Sequence, residues 1–296
     1  MLMIKTHKRS TFENNIQIAY EHFGKIDDVI EVNRTRTHLR NDDHTKESLY
    51  KDDYNFFGCN NYEEAEKMAI KGWQELISDE KFTGFYDLHG KEVEKLLKTK
   101  NDVVGFMPII PNVLMGIPQC MINTTYKKVK SKIIHIVYNV SVASWVSNNE
   151  LKEAGFEFMK AVIDLEKQGY RLKLTAMQDF SQGNDTDLMI VDVKSEYKKL
   201  DLYSSMFTLI HPAVFRAIGF VWKERSPIAK DMGFGYGKPF NSIHSELRMT
   251  DYLSKILEDE NVLYISSRDI VDKKMKAIDI QKNIFEMSEK KERCKK

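Results

Sequence analysis

The chain has 296 residues, 42% of them hydrophobic and 11% aromatic, which is enough apolar material for a packed core and argues against a mostly disordered protein. Lys and Arg number 45 against 44 Asp and Glu, a formal net charge of +1. No global charge excess therefore marks a nucleic-acid or membrane binder, and a DNA mimic would need a strong negative excess. Three widely spaced cysteines, Cys59, Cys120 and Cys294, argue against a disulfide framework and fit a reducing compartment.

The opening MLMIKTHKRSTFENN lacks the apolar run of a secretory signal, and no stretch reaches the ~18–20 apolar residues of a membrane helix. NNIQIAYEHFG predicts a short helix with Ile16, Ala19, Tyr20 and Phe23 on one side. The charged run NRTRTHLRNDDHTKESLYKDDYNFFGCNN has no clear period and reads as loop or extended arm. In NNYEEAEKMAIKGWQELISDE, Asn61 caps a helix, Glu63 and Glu64 suit its positive end, and Ala65, Met68, Ala69, Trp73, Leu76 and Ile77 make the apolar stripe. GKEVEKLLK predicts a further, shorter helix.

PIIPNVLMGIPQCMIN, Pro108 to Asn123, holds three of the six prolines among apolar residues. Proline removes backbone donors that lipid cannot replace, so a membrane segment is excluded. The expectation is a rigid buried connector, with Leu114, Met115, Ile117 and Met121 packing onto a sheet. SKIIHIVYNVS then alternates as a strand, SNNELKEAGFEFMKAVIDLEKQGY as a helix capped by Asn148 or Asn149 and ended by Gly169, and YRLKLTAMQ as a strand. Strand, helix and strand make a βαβ unit with a right-handed parallel crossover. DTDLMIVDVKS is a third strand, and LDLYSSMFTLIHPAVFRAIGFVWKERS a long apolar helix or helix pair broken near Pro212. KDMGFGYGKPFNS is a glycine-rich loop, SELRMTDYLSKILEDE an amphipathic helix and NVLYISSRDI a fourth strand. The fold class is α/β: a mixed sheet with at least one βαβ unit, preceded by a helical and loop N-terminal region. The divisions are residues 1–100 as that region, read as an interaction arm, 101–275 as the core, and 276–296 as a charged tail whose end, SEKKERCKK, frays.

Candidate chemistry is sparse. Asp192 and Lys194 lie two apart on a strand and so share a face, and with Asp187 (or Asp185) they match the acid, acid, lysine pattern of Mg²⁺-dependent nucleases. An edge pair facing solvent is the plainer reading of the same residues. Gly233 to Gly237 lacks the spacing of a phosphate-binding loop, and Pro239 follows Lys238 where such a loop has Ser or Thr. The histidines do not cluster in sequence. His135 reads as a hydrogen-bonded core histidine, His211 as the mark of a kink, and His38 and His44 flank an acidic loop with no known metal spacing. Arg34, Arg36, Arg40, Tyr50, Tyr54, Phe56 and Phe57 supply the aromatic and arginine anchors that protein interfaces use, and equally the anchors of an ordinary loop. No cofactor or metal is expected, and direct nucleic-acid binding by YKKVKSK or NRTRTHLR is not the favoured reading.

The order PNVLMGIPQCM, IIHIVYNVS, LEKQGYRLKL and GYGKP, over roughly residues 100–240, resembles an uncharacterised family of phage and prophage proteins. Size and lysine-rich composition also resemble the Gabija anti-defence proteins of Bacillus phages. That resemblance implies a non-enzymatic inhibitor acting in the host cytoplasm, without membrane contact. It would assemble as a homo-oligomer on a bacterial nuclease–helicase defence complex, Gabija, and stop it binding and cutting DNA by steric occlusion. The alternatives are the Mg²⁺-dependent nuclease and a phage nucleic-acid-handling accessory protein.

Overall fold

The computed structural model of the protein describes residues 4–12, 16–37, 45–74, 97–105, 107–126, 133–229 and 246–294. His38, Arg40, His44, the glycine-rich loop 230–242 and most of GKEVEKLLK and YKKVKSK lie outside them.

The centre is a six-stranded mixed sheet. Its strands are β1 (Ile4–Thr11), β2 (Gln17–Phe23), β6 (Ile133–Asn139), β7 (Arg171–Gln182), β8 (Asp185–Lys194) and β9 (Val262–Ser266), in the order β1-β2-β8-β7-β6-β9. The expected βαβ unit is present: β6 pairs with β7 in parallel, and helix α6 (Asn148–Lys167) connects them. Ser147, rather than Asn148 or Asn149, caps that helix. Its side chain accepts from Glu150 N while Glu150 bonds back to Ser147 N, a complete capping box. Gly169 just beyond the helix takes φ +93, the left-handed conformation expected of it. β9 joins the other side of β6 in parallel, whereas β7 and β8 form an antiparallel hairpin. Gly183 supplies the positive φ that its two-residue loop needs.

Two N-terminal expectations change. Residues 17–23 form strand β2, not a short helix. Ile16, Ile18 and Tyr20 also alternate, and the place between β1 and β8 pairs both edges of the strand while burying Ile18, Ala19, Tyr20 and Phe23. The first hundred residues contain the expected helices and loops: α1 (Ile26–Thr35), α2 (Glu47–Asp52), α3 (Tyr54–Phe57) and α4 (Tyr62–Lys71). They are not an appended arm, because β1 and β2 extend the sheet. Asn61 caps α4 as expected, accepting from Glu64 N at 2.7 Å, and the helix stops at Gly72, whose φ is +76.

One face of the sheet carries the larger core. α1, α4, α6, α7 (Leu202–Ile210), a π-helix (Val214–Gly219), α8 (Phe220–Arg225), α10 (Ser267–Asp272) and α11 (Ala277–Cys294) all contribute to it. The α7–α8 pair breaks at His211 and Pro212, as the proline predicts, and bends by 61°. No helix among the described residues is long and apolar enough to cross a membrane, and this bent pair is apolar because it is core. Most of the expected charged tail is helix, α11, running from Ala277 to Cys294. Ile280, Ile284 and Met287 repeat at helical spacing and bury α11 against the core. The opposite face is covered by α9 (Glu246–Ile256) through Met249, Tyr252, Leu253 and Ile256.

Residues 97–126 form a separate antiparallel sheet from β3 (Leu97–Asp102), β4 (Met107–Pro108) and β5 (Met121–Tyr126), in the order β3-β5-β4, with the short helix α5 (Ile110–Leu114) between β4 and β5. The prolines fix this local structure: Ile109 N bonds Cys120 O at 2.7 Å, and Pro111 opens α5 without losing a helical bond. The segment is not the buried brace expected of it. Leu114 is 82% exposed, and Ile110, Met115 and Ile117 also face solvent. Its described backbone hydrogen bonds close within the segment, as in Ile109 N to Cys120 O and Ile117 N to Asn112 O.

Candidate interaction surface

The carboxyl end of β6 is a topological switch point: the chain leaves through α6 to β7 on one side, and β9 arrives on the other. Open α/β sheets place ligand-contacting groups at such points. The backbone there is fixed from inside. Asn139, fully buried, donates to Asp179 Oδ1 at 2.7 Å and Tyr264 OH at 2.8 Å, and its own oxygen accepts from Ser141 N. Asp179 N in turn donates to Ser141 Oγ. After this rigid run the chain turns at residues 143–146 and exposes Trp145, 78% accessible, before Ser147 starts α6.

Arg216 holds this turn. It sits on the π-helix and is 1% exposed. Nη2 donates to Val146 O at 2.7 Å and Ala143 O at 3.4 Å, while Nη1 donates to Asn148 Oδ1 at 2.8 Å and Phe56 O at 3.1 Å. The guanidinium also lies 4.4 Å from the Phe56 ring centre. Burial pushes its pKa down to about 10, opposed by the charge of Asp53, so it remains a cation at neutral pH. One arginine thereby fastens α3 beside the Trp145 turn. Gly58, at φ +72, ends α3 where an added Cβ would meet Pro212 and Asn148 at 3.3–3.4 Å. Tyr54, on the same short helix, is 51% exposed.

The anchor residues named from sequence divide accordingly. Tyr54 and part of Phe56 reach the surface, whereas Tyr50 and Phe57 are buried and pack on each other with ring centres 4.4 Å apart. Arg34 forms a two-pronged pair with Glu66, and Arg36 another with the buried Glu21, which also accepts from Trp222 Nε1 at 2.7 Å. Arg34 ties α1 to α4, and Arg36 ties the end of α1 to β2. Sequence patterns alone do not single out Trp145 or Arg216. For Trp145 the available signal is a tryptophan between Ser144 and Val146, just before a capping serine. Arg216 has no such signal, being one polar residue within a long apolar helical run.

The three nuclease candidates are not brought together. A β-bulge sets Thr175 opposite Asp192 but Leu174 opposite Lys194, so Val193 is an extra residue and the two-residue alternation fails there. Asp192 and Lys194 therefore do not share a face. Lys194 turns to Glu166 on α6, at 2.7 Å, and to Leu172 O. Asp187, five residues before Asp192, faces the larger core and forms a fully buried ion pair with Lys223. Asp192 faces the α9 side, 2.8 Å from His22 Nε2.

Asp192 belongs instead to a polar row along one end of the sheet. His135 bonds Asp259 Oδ2 through Nδ1 at 2.8 Å and Thr175 Oγ1 through Nε2 at 2.9 Å, and Thr175 lies 3.5 Å from Asp192. Burial pushes the His135 pKa down, and the hydrogen bond from His135 holds the Asp259 carboxyl below its usual range. A neutral ring protonated at Nδ1 satisfies both partners. The order hydroxyl, imidazole, carboxylate is that of a nucleophile relay. Thr175 and His135 are sealed from solvent at 0% and 1%, however, so the row acts as a tie across β2, β8, β7 and β6. Among the described residues no three metal-ligating side chains converge.

Architecture and surface together define a mixed α/β protein with an open six-stranded sheet and a small antiparallel excursion. The chain belongs to the family described as a domain of unknown function, DUF7192, which matches residues 6–290. No curated protein and no solved structure gives a match.

Proposed function

We propose that this protein acts by binding another protein through the surface at the carboxyl end of β6, with Trp145 and Tyr54 as its anchors. The observation that carries the reading is an exposed tryptophan and an exposed tyrosine on two segments that one buried arginine bonds together. Tryptophan and tyrosine dominate binding hot spots because they offer large contact area at low entropic cost, and a pre-fixed backbone lowers that cost further. An occluding inhibitor needs such a surface and no catalytic group. A standard interface buries on the order of 1,600 Å² in total, so further residues around Trp145 and Tyr54 would share in it.

The resemblance to phage anti-defence proteins names the first target: the Gabija nuclease–helicase complex, blocked from DNA by occlusion in the host cytoplasm. The test is co-elution of the protein with purified complex on a sizing column, with DNA cleavage assayed on the same fractions. A larger species that no longer cleaves, and that Trp145→Ala with Tyr54→Ala weakens at least tenfold, is the expected result. Separate elution with cleavage intact removes that target. Asp192→Ala retains inhibition under this reading, whereas a nuclease loses its activity with that residue.

A further inference from the structure

We infer that the excursion of residues 97–126 is the surface through which two copies of this chain associate. It is independent of the Trp145 surface and survives if that reading fails.

From Val103 to Asn123 no charged residue occurs, in a chain that is 30% charged. Within that run Val103, Val104, Ile110, Leu114 and Met115 are each at least 60% exposed. The substantial packing of β3, β4 and β5 is on one another, so no described element of the same chain covers these side chains. Monomers rarely leave a contiguous apolar patch of more than a few hundred Å² bare.

The composition selects the occupant. Interfaces between identical subunits are more apolar than other interfaces, and their centres are depleted of charge. A two-fold interface also sets each patch against its own image, so a charged centre would repel itself. Here the centre has no charge, and the described rim pair, Lys100 with Asp102 at 2.6 Å, is neutralised within one chain. A lipid surface is the poorer fit, because interfacial segments carry Lys and Arg on their polar side and this run has neither. A foreign partner is also poorer: the exposed side chains are aliphatic and methionine, without the Trp, Tyr and Arg of hot spots.

The experiment is light scattering on the full chain at tens of micromolar, with the Leu114→Glu/Met115→Glu variant alongside. Both side chains face solvent within one chain, so the variant keeps the fold and its circular dichroism reports this. The expected result is twice the chain mass for the parent and a single chain mass for the variant. A parent of single chain mass overturns the inference, and so does a variant that stays dimeric. Binding of single-mass parent to neutral phosphatidylcholine vesicles overturns it in favour of lipid. Should the variant lose its circular dichroism, amide exchange on the parent decides: protection of residues 107–117 that rises with concentration supports the inference, and protection that does not rise overturns it.

Discussion

In the large sheet, strands β2, β8, β7, β6 and β9 bury side chains on both faces; in the small sheet, Val104, Ile110 and Leu114 face solvent. The large sheet holds buried charges, whereas the run from Val103 to Asn123 beside the small one holds none. Buried ionisable groups of the large sheet have assigned partners: Asp187 with Lys223, Glu21 with Arg36 and Trp222, Lys194 with Glu166. Burial of polar groups is tolerated where each is matched, and exposure of apolar groups persists where another surface is to cover them. The contrast separates the sheet that builds the core from the one that leaves apolar side chains exposed.

The comparison breaks most visibly at the buried ion pair. Asp187→Ala leaves the Lys223 charge in the core without its carboxylate, and urea unfolding is expected to show a loss of about 3–5 kcal/mol. Asp187→Leu combined with Lys223→Met should recover most of it, since two apolar side chains need no partner there.

Acid attacks the same body. His211 is buried between Trp73 and Phe207, and its Nδ1 accepts from Ala213 N. Burial pushes its pKa down to about 3 from the usual 6.5, with Lys152 adding to the shift. The unfolded chain therefore binds a proton below pH 6.5 that the folded chain refuses. Stability is full above that pH and falls as pH drops through 6.5 toward 3, by about 2–4 kcal/mol from this residue. His135, shifted in the same direction, adds to the loss. Urea midpoints for the parent and His211→Asn, at pH 7.5 and at pH 5, measure it; the variant should lose less on acidification.

Gly105→Ala sharpens the contrast, because it strikes the small sheet alone. The added Cβ would stand 2.2 Å from Ile122 O, a backbone atom that cannot yield cheaply. Local stability should fall by about 1–3 kcal/mol, read as faster amide exchange in residues 107–123, with the thermal midpoint of the main body unchanged. Smallest of all is Trp145→Ala, whose side chain contributes little to the folded monomer: urea unfolding should move by less than about 0.5 kcal/mol.

Much of the large sheet is legible in the sequence. The β6–α6–β7 unit follows from alternation, helical spacing and Gly169, and the break in the apolar helices from Pro212. Strand β2 is easily misread because Ile16, Ala19, Tyr20 and Phe23 fit a helix as well as a strand, and its partner β8 lies far along the chain. The bulge at Val193 leaves no mark in a one-dimensional pattern, so the shared face of Asp192 and Lys194 is an artefact of counting by twos. The proline-rich segment shows a further limit: its apolar sequence predicts burial, yet Ile110, Leu114 and Met115 face solvent. The helix at the C-terminal end is the avoidable miss, because Ile280, Ile284 and Met287 carry the spacing in plain view.

The link between His22 and Asp192 spans 170 positions. At roughly 5–20 residues per second, a ribosome needs roughly 10–30 s after making β2 before β8 has been synthesised. During that wait the hairpin partner β1 is all that β2 has, and its other edge stays open to chaperones or to a neighbouring nascent chain. Yield in the cell should therefore depend on trigger-type holding factors more than on the equilibrium stability of the finished fold.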